Sequence, residues 1–358
     1  MRFPEFTEEW KEEQLDNIAT LSKGIGISKE QLSEDGEPCI LYGELYTKYK
    51  SEIIKQVESK TDINGSKLKR SKANDVIIPC SGETAVDIAT ARCVPFDNIL
   101  FGGDLNVISL HQYDGAFMSY QLNGKRKYDI ARVAQGVSIV HLYGEHLKAI
   151  KTYNPTLPEQ QKIAKLLSLL DDRIDTQNKI IDKLKSLIKG IDEVVFQSCS
   201  KQNKLKEFDN QITAGRDKVE EGCFPLYGST GVIGTTATPS YHEPLVLVAR
   251  VGSIGCVQFV NIPCGVSDNT IVIRCGSKAK YVYYYLQNYN FERITSGTTQ
   301  PLITAKDVKH IDIPIIDSAN DLKAINTLDT LNMKLELESN LYNTILKQKA
   351  FLLQQMFI

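Results

Sequence analysis

The sequence predicts an α/β (α+β) chain in which two globular domains are joined by two long helices forming an antiparallel coiled coil. Three observations carry this expectation. At 358 residues, 42% of them hydrophobic, the chain exceeds what one core usually organises, so two or more compact units are expected. Strand-and-turn sequence is interrupted twice by a long heptad pattern. The second interruption repeats the first at a fixed shift of 161 residues, which carries Leu167 onto Leu328.

Residues 1–155 form the first expected domain. EDGEPCILYG (34–43), DVIIPCSGET (75–84) and FGGDLNVISL (101–110) are apolar, β-branched runs bounded by Gly, Pro, Asn and Asp, which are strand signals. The first long helix is expected over 156–198. Thr156 and Glu159 have the spacing of a capping box, and Pro158 falls in the first turn, where a missing N–H costs nothing. Leu167, Leu170, Ile174, Ile181, Leu184, Ile188, Ile191 and Val195 then recur at steps of three and four, with one polar interruption at Gln177. Asp175 and Lys179 are spaced as a favourable pair on the solvated face.

The second domain, 199–317, rhymes loosely with the first. EEGCFPLYG (220–228), LVLVARVGSI (245–254) and GVSDNTIVIR (265–274) follow the three runs above in order. The second long helix, 318–358, carries the seam Leu328, Leu331, Leu335, Tyr342, Ile345, Leu352 and Met356. Glu338 stands where the shift places Gln177, and Lys349 stands where it places Ile188. Upstream, the same shift pairs Gly136 with Gly297 and GVSIVHLYGEHLKAI with GTTQPLITAKDVKHI, so the helices belong to an internal duplication.

Two helices with matching seams should pack on each other and hold the domains at opposite ends. About forty helical residues span about 60 Å, close to two turns of B-DNA at roughly 34 Å each. Such a rod could act as a ruler between two reading heads on a split DNA sequence.

At this point the sequence resembles a known family. LPEQQKIAKLLSLLDDRIDTQNKIIDKL is similar to the central conserved region of specificity subunits of type I restriction–modification enzymes, and RFPEFTEEWKEEQLDNIA to their N-terminus. YGSTGVIGT, ARVGSIGCV, VSDNTIVI and SGTTQPLITAKDVKHIDIPI resemble the second target-recognition domain. The likeness covers nearly the whole chain. It implies that each domain reads half of a bipartite double-stranded DNA target, and that the helices form the spacer and dock a pair of methyltransferase subunits. Those subunits would use S-adenosylmethionine to methylate adenine, and ATP-dependent restriction subunits would join through the complex. The second helix departs from the pattern: 318–323 read SANDLK, not LPEQQK.

The rest of the sequence agrees with a chain that performs no chemistry and holds no cofactor. It has no (N/D)PP(Y/F) segment and no GxxxxGK(S/T) phosphate loop. The five histidines are dispersed and the eight cysteines form no CxxC pair, so no metal site is expected; reduced, buried thiols in a cytoplasmic protein are. No apolar run approaches the roughly 18 residues of a membrane span, and the N-terminus carries no leader pattern.

A net charge of −2 argues against coating nucleic acid by charge alone but leaves base reading open. The candidate phosphate contacts are Lys67, Lys69, Arg70 and Lys72, with Lys125, Arg126 and Lys127. The candidate base readers are Arg216, Arg250, Ser253, Asn269, Thr298, Thr299 and Gln300, in polar turns between strands. Tyr281, Tyr283, Tyr284 and Tyr285 read as a helix face on the core. Three competitors stand beside this reading: a specificity chain whose partner fuses cutting and methylation, a self-assembling scaffold that binds no DNA, and an unrecognised enzyme.

Overall fold

A computed structural model describes residues 2–64, 67–197, 201–208, 211–297, 301–315 and 319–357. The chain divides into two compact units, one formed by Met1–Lys179 with Ser339–Ile358 and the other by Ile180–Glu338.

The first unit is organised by an antiparallel sheet whose strand order is Ala19–Lys23, Leu105–Leu110, Asp75–Pro79, Arg92–Val94. Side chains alternate faces along a strand, so the unbroken apolar run VIIP (76–79) implies burial on both sides. Val76 and Ile78 enter one cluster with Ile108, Met118, Leu122 and Ile130. Ile77 points the other way, with Leu105, Val107, Ile40 and Phe101. The first face is covered by short helices, including Gly115–Asn123, and the second by a smaller sheet in which Glu37–Ile40 pairs in parallel with Leu100–Phe101.

The second unit repeats this plan. Its sheet runs Thr213–Ala214, Thr270–Ile273, Leu245–Ala249, Val257–Val260, again antiparallel throughout. Val246, Val248 and Ile271 face one cluster, while Leu245, Leu247 and Val272 face another. Phe224–Gly228 pairs in parallel with Gly265–Val266, matching the parallel pair of the first unit. A two-stranded ribbon recurs too: Lys11–Gln14 with Lys151–Asn154, and Gln202–Lys204 with Asp312–Pro314. Tyr281 and Tyr284, on the helix Ala279–Gln287, are buried in the core, as the sequence suggested.

The long helices are Leu157–Gln197, 41 residues, and Ala319–Gln355, 37 residues. In the first unit, Ile163, Ala164 and Leu167 pack with Leu352, Leu353, Met356 and Phe357. In the second unit, Ile188, Ile191 and Val195 pack with Ile325 and Leu328. Start meets end in one unit and end meets start in the other, so the pairing is antiparallel. Leu167, Ile181, Leu184, Leu328 and Ile345 are buried; Leu170, Ile174, Ile188, Leu331, Leu335, Tyr342 and Leu352 are partly buried.

Two local expectations are corrected. Glu159 does not close a capping box, because both its oxygens, fully buried, accept from the Arg2 guanidinium at 2.7 Å. A bidentate charge-assisted pair outweighs a single bond to a backbone amide. Asp175 faces Lys55 at 2.5 Å, a partner from another segment of the unit. Removing the guanidinium strands a buried carboxylate, so Arg2→Ala should lower the midpoint of urea unfolding. Urea unfolding checks this, and Glu159→Gln in the same background should restore part of the loss.

Candidate nucleic-acid interface

In the second unit the backbone converges at the edge formed by the ends of the two central strands, Leu245–Ala249 and Thr270–Ile273. Arg250 follows the strand Leu245–Ala249, and its amide donates to the Asn269 carbonyl at 3.1 Å. Its own carbonyl accepts from Ile303 at 3.0 Å, and its guanidinium donates to the Asp268 carbonyl at 3.4 Å. The Ser229 hydroxyl lies 3.3 Å from the carbonyls of both Val251 and Asn269. Gln258 ties the same turn down by donating to Gly228 and Ser229. The structure thus brings Arg250 and Asn269 together and adds Ser229 and Gln258, which sequence reasoning missed.

Arg216 is exposed directly after Gly215, whose amide donates to Thr270 at 2.9 Å. A Cβ on Gly215 would sit 2.3 Å from the Ser267 carbonyl, so only glycine lets the two segments approach. Ser253 is exposed in a turn with Gly252 and Gly255 at φ +71° and +77°, on the rim of an open cleft of about 1000 Å³ lined by Tyr289, Asn290 and Glu292. Three buried polar atoms at this edge, Arg250 Nε, Ser267 Oγ and Thr270 Oγ1, have no hydrogen-bond partner among the described residues. Thr298, Thr299 and Gln300 lie outside the described residues.

The same backbone ties occur in the first unit with different side chains. There Cys80 donates to Asp104 at 2.7 Å and accepts from Leu142 at 2.9 Å, so Cys80 and Asp104 stand where the second unit has Arg250 and Asn269. Gly24 takes the place of Gly215, donating to Leu105 at 2.9 Å, and a Cβ there would meet the Gly102 carbonyl at 2.0 Å. Burial pushes the Cys80 thiol up to about 11, which keeps it neutral. Lys23 sits 5.8 Å over the Tyr143 ring at this edge, and Tyr143 stacks on His141.

The basic clusters are partly engaged. Arg70 makes a bidentate pair with Glu37 across the small sheet, at 2.6 and 3.0 Å, which holds the Glu37 carboxyl below its ordinary range. Lys67 and Lys72 are exposed; Lys69 is partly buried and pairs through its backbone with Phe101. Lys125 is exposed, while Arg126 bonds Asp129 at 3.2 Å and lies 5.0 Å over the Tyr153 ring. Both arginines therefore have an intramolecular partner for the fork a phosphate would take.

A model of the type I restriction modification DNA specificity domain matches the chain twice, over residues 7–186 and 196–347. The chain belongs to that family. A putative type I specificity subunit of Mycoplasma genitalium is 25% identical to this specificity chain over 284 residues, covering 71% of the chain and 73% of the relative. The crystal structure of a type I restriction–modification S subunit from M. genitalium superposes with a TM-score of 0.72 at 20% identity, covering 99% of this chain and 97% of the other. A chain from a structural study of type I system assembly gives 0.52 at 14% identity, covering 98% and 97%. These structural likenesses concern the fold. As a member of the family, the specificity chain is a non-catalytic subunit. Among the described residues no helix is long and apolar enough to cross a membrane.

Proposed function

We propose that the chain directs a type I restriction–modification complex to a bipartite double-stranded DNA target in the cytoplasm. On this reading, residues 1–155 read one half-site and 199–317 the other. The helical segments 156–198 and 318–358 set the spacer and dock a pair of methyltransferase subunits; ATP-dependent restriction subunits join through the complex. Arg216, Arg250, Ser253 and Asn269, with Thr298, Thr299 and Gln300, are the proposed base readers of the second half. Lys67, Lys69, Arg70, Lys72, Lys125 and Arg126 are the proposed phosphate contacts.

One observation carries the reading. A single backbone frame occurs twice in the chain, and the same edge position holds Arg250 and Asn269 in one copy but Cys80 and Asp104 in the other. Equal frames with unequal chemistry are what two different half-sites require. Large apolar side chains exposed on the second long helix, Met333, Leu337 and Phe351, support its role in docking protein.

The test is genome-wide mapping of N6-methyladenine in cells carrying the chain with its methyltransferase, against cells with methyltransferase alone. A split motif of constant spacing should appear only with the chain, and replacing residues 200–310 by those of another specificity chain should change one half only. A stable complex that writes no chain-dependent motif would sink the DNA-reading assignment.

A further inference from the structure

The loop that closes beside Cys80 has the same frame in both units. Gln135 and His141 exchange backbone bonds at 2.9 and 2.7 Å, as Ser296 and Leu302 do at 3.0 and 2.9 Å. Gly136 and Gly297, one residue in from each start, both have positive φ, +127° and +89°. His141 in turn pairs with Ser81, so the first loop is fixed to the edge where Lys23 and Tyr143 also stand. Its base is anchored by Val140, which is buried in the core.

The tip has the opposite character. Val137 is 97% exposed and Ile139 is 60% exposed, so the core of the domain uses neither side chain. Ser138 and Ile139 line a cleft of about 680 Å³ together with Tyr42 and Tyr46, both more than a third exposed. In the shifted register the second unit has Thr298, Thr299 and Gln300, all hydrogen-bonding side chains. Two apolar side chains on a narrow tip are far less than the roughly 800 Å² per partner that a stable protein interface needs. They do suit a methyl group, and the thymine 5-methyl is the apolar group that unmodified DNA presents in its major groove.

We propose that residues 137–139 read the first half-site by packing Val137 and Ile139 against thymine methyls. This rests on the DNA-reading function proposed above.

The test uses the full chain in complex with its methyltransferase and duplexes bearing the mapped motif. Uracil replaces thymine in one half-site at a time, which deletes only the methyl. Substitution in the first half-site should weaken binding about fourfold per contacted methyl, the factor expected for one buried apolar carbon. Substitution in the second half-site should leave the contribution of this loop unchanged. Val137→Ser with Ile139→Ser should abolish the thymine–uracil difference and relax the methylation motif in the first half only, with unchanged thermal unfolding.

A first half-site without thymine, or equal binding of uracil and thymine duplexes, overturns the proposal. So does a double variant that keeps the motif intact. If the double variant loses the methyltransferase on co-purification, the tip docks protein and the proposal also falls. Absence of any chain-dependent motif would instead remove the underlying DNA-reading function.

Discussion

Replacing Lys349 by methionine is expected to lower the stability of the first unit by about 3–5 kcal/mol, the cost of breaking a buried ion pair from one side. Lys349 occupies a seam position of the second long helix with its side chain only 11% exposed. Its ammonium lies 2.5 Å from both Glu52 and Asp171, whose side chains are 9% and 4% exposed. Around it, the Tyr120 hydroxyl donates to Asp171 at 2.6 Å and Ser51 donates to the same oxygen at 2.8 Å. Burial and the neighbouring carboxylate push the Tyr120 phenol well above its ordinary range, so it remains a donor.

Removing the lysine leaves two carboxylates that are only 9% and 4% exposed without their cation. Asp171→Asn in the Lys349→Met background should therefore recover part of the loss, and a double-mutant cycle by urea unfolding reads the coupling. A single-variant loss below about 1 kcal/mol would show that solvent reaches the cluster. The second unit gives a natural control: the repeat places Ile188 where Lys349 stands and Asn332 where Asp171 stands.

The second large effect is expected from Gly24→Ala and Gly215→Ala. A Cβ at these positions would meet backbone carbonyls at 2.0 and 2.3 Å, against an ordinary contact near 3.4 Å. Neither segment can retreat without losing the bonds from Gly24 to Leu105 and from Gly215 to Thr270. Each substitution should cost about 1–3 kcal/mol or more, as overpacking against main chain does. The functional loss should be asymmetric: under the proposed division of labour, Gly215→Ala blurs one half of the methylation motif and Gly24→Ala the other. Methylation mapping of the two variants checks this, and blurring of both halves by either one would contradict it.

The parts of the fold legible in the sequence were those written locally. The seams from Leu167 to Ile188 and from Leu328 to Leu352 recur every three or four residues, so a short window suffices to see them. The apolar, β-branched run VIIP announced a strand for the same reason. Ion pairs between remote segments leave no such trace. Arg2 and Glu159 are separated by 157 positions and Lys349 and Glu52 by 297, so Glu159 read as a cap and Lys349 as a member of the seam.

The candidate site was half legible. Arg250 and Asn269, proposed here as base readers, stood out because their side chains suit base edges. The matching edge of the first domain was hidden because its equivalents, Cys80 and Asp104, carry no such chemistry. Val137 and Ile139, in turn, lie in GVSIV beside Val140, and residue type alone does not tell the two exposed side chains from the buried one.

The partition of the chain also dictates an order of assembly. The second unit is one uninterrupted stretch, Ile180–Glu338, whereas the first needs residues from both sides of it. Trp10 and Phe117 meet Phe357 at ring separations of 6.5 and 5.4 Å, so this cluster cannot close until nearly the whole chain is present. During synthesis the later unit is therefore the first able to finish, since its core needs nothing beyond residue 338. Once folded, it turns a floppy loop into a compact insert, which shortens the search that brings Phe357 to Trp10.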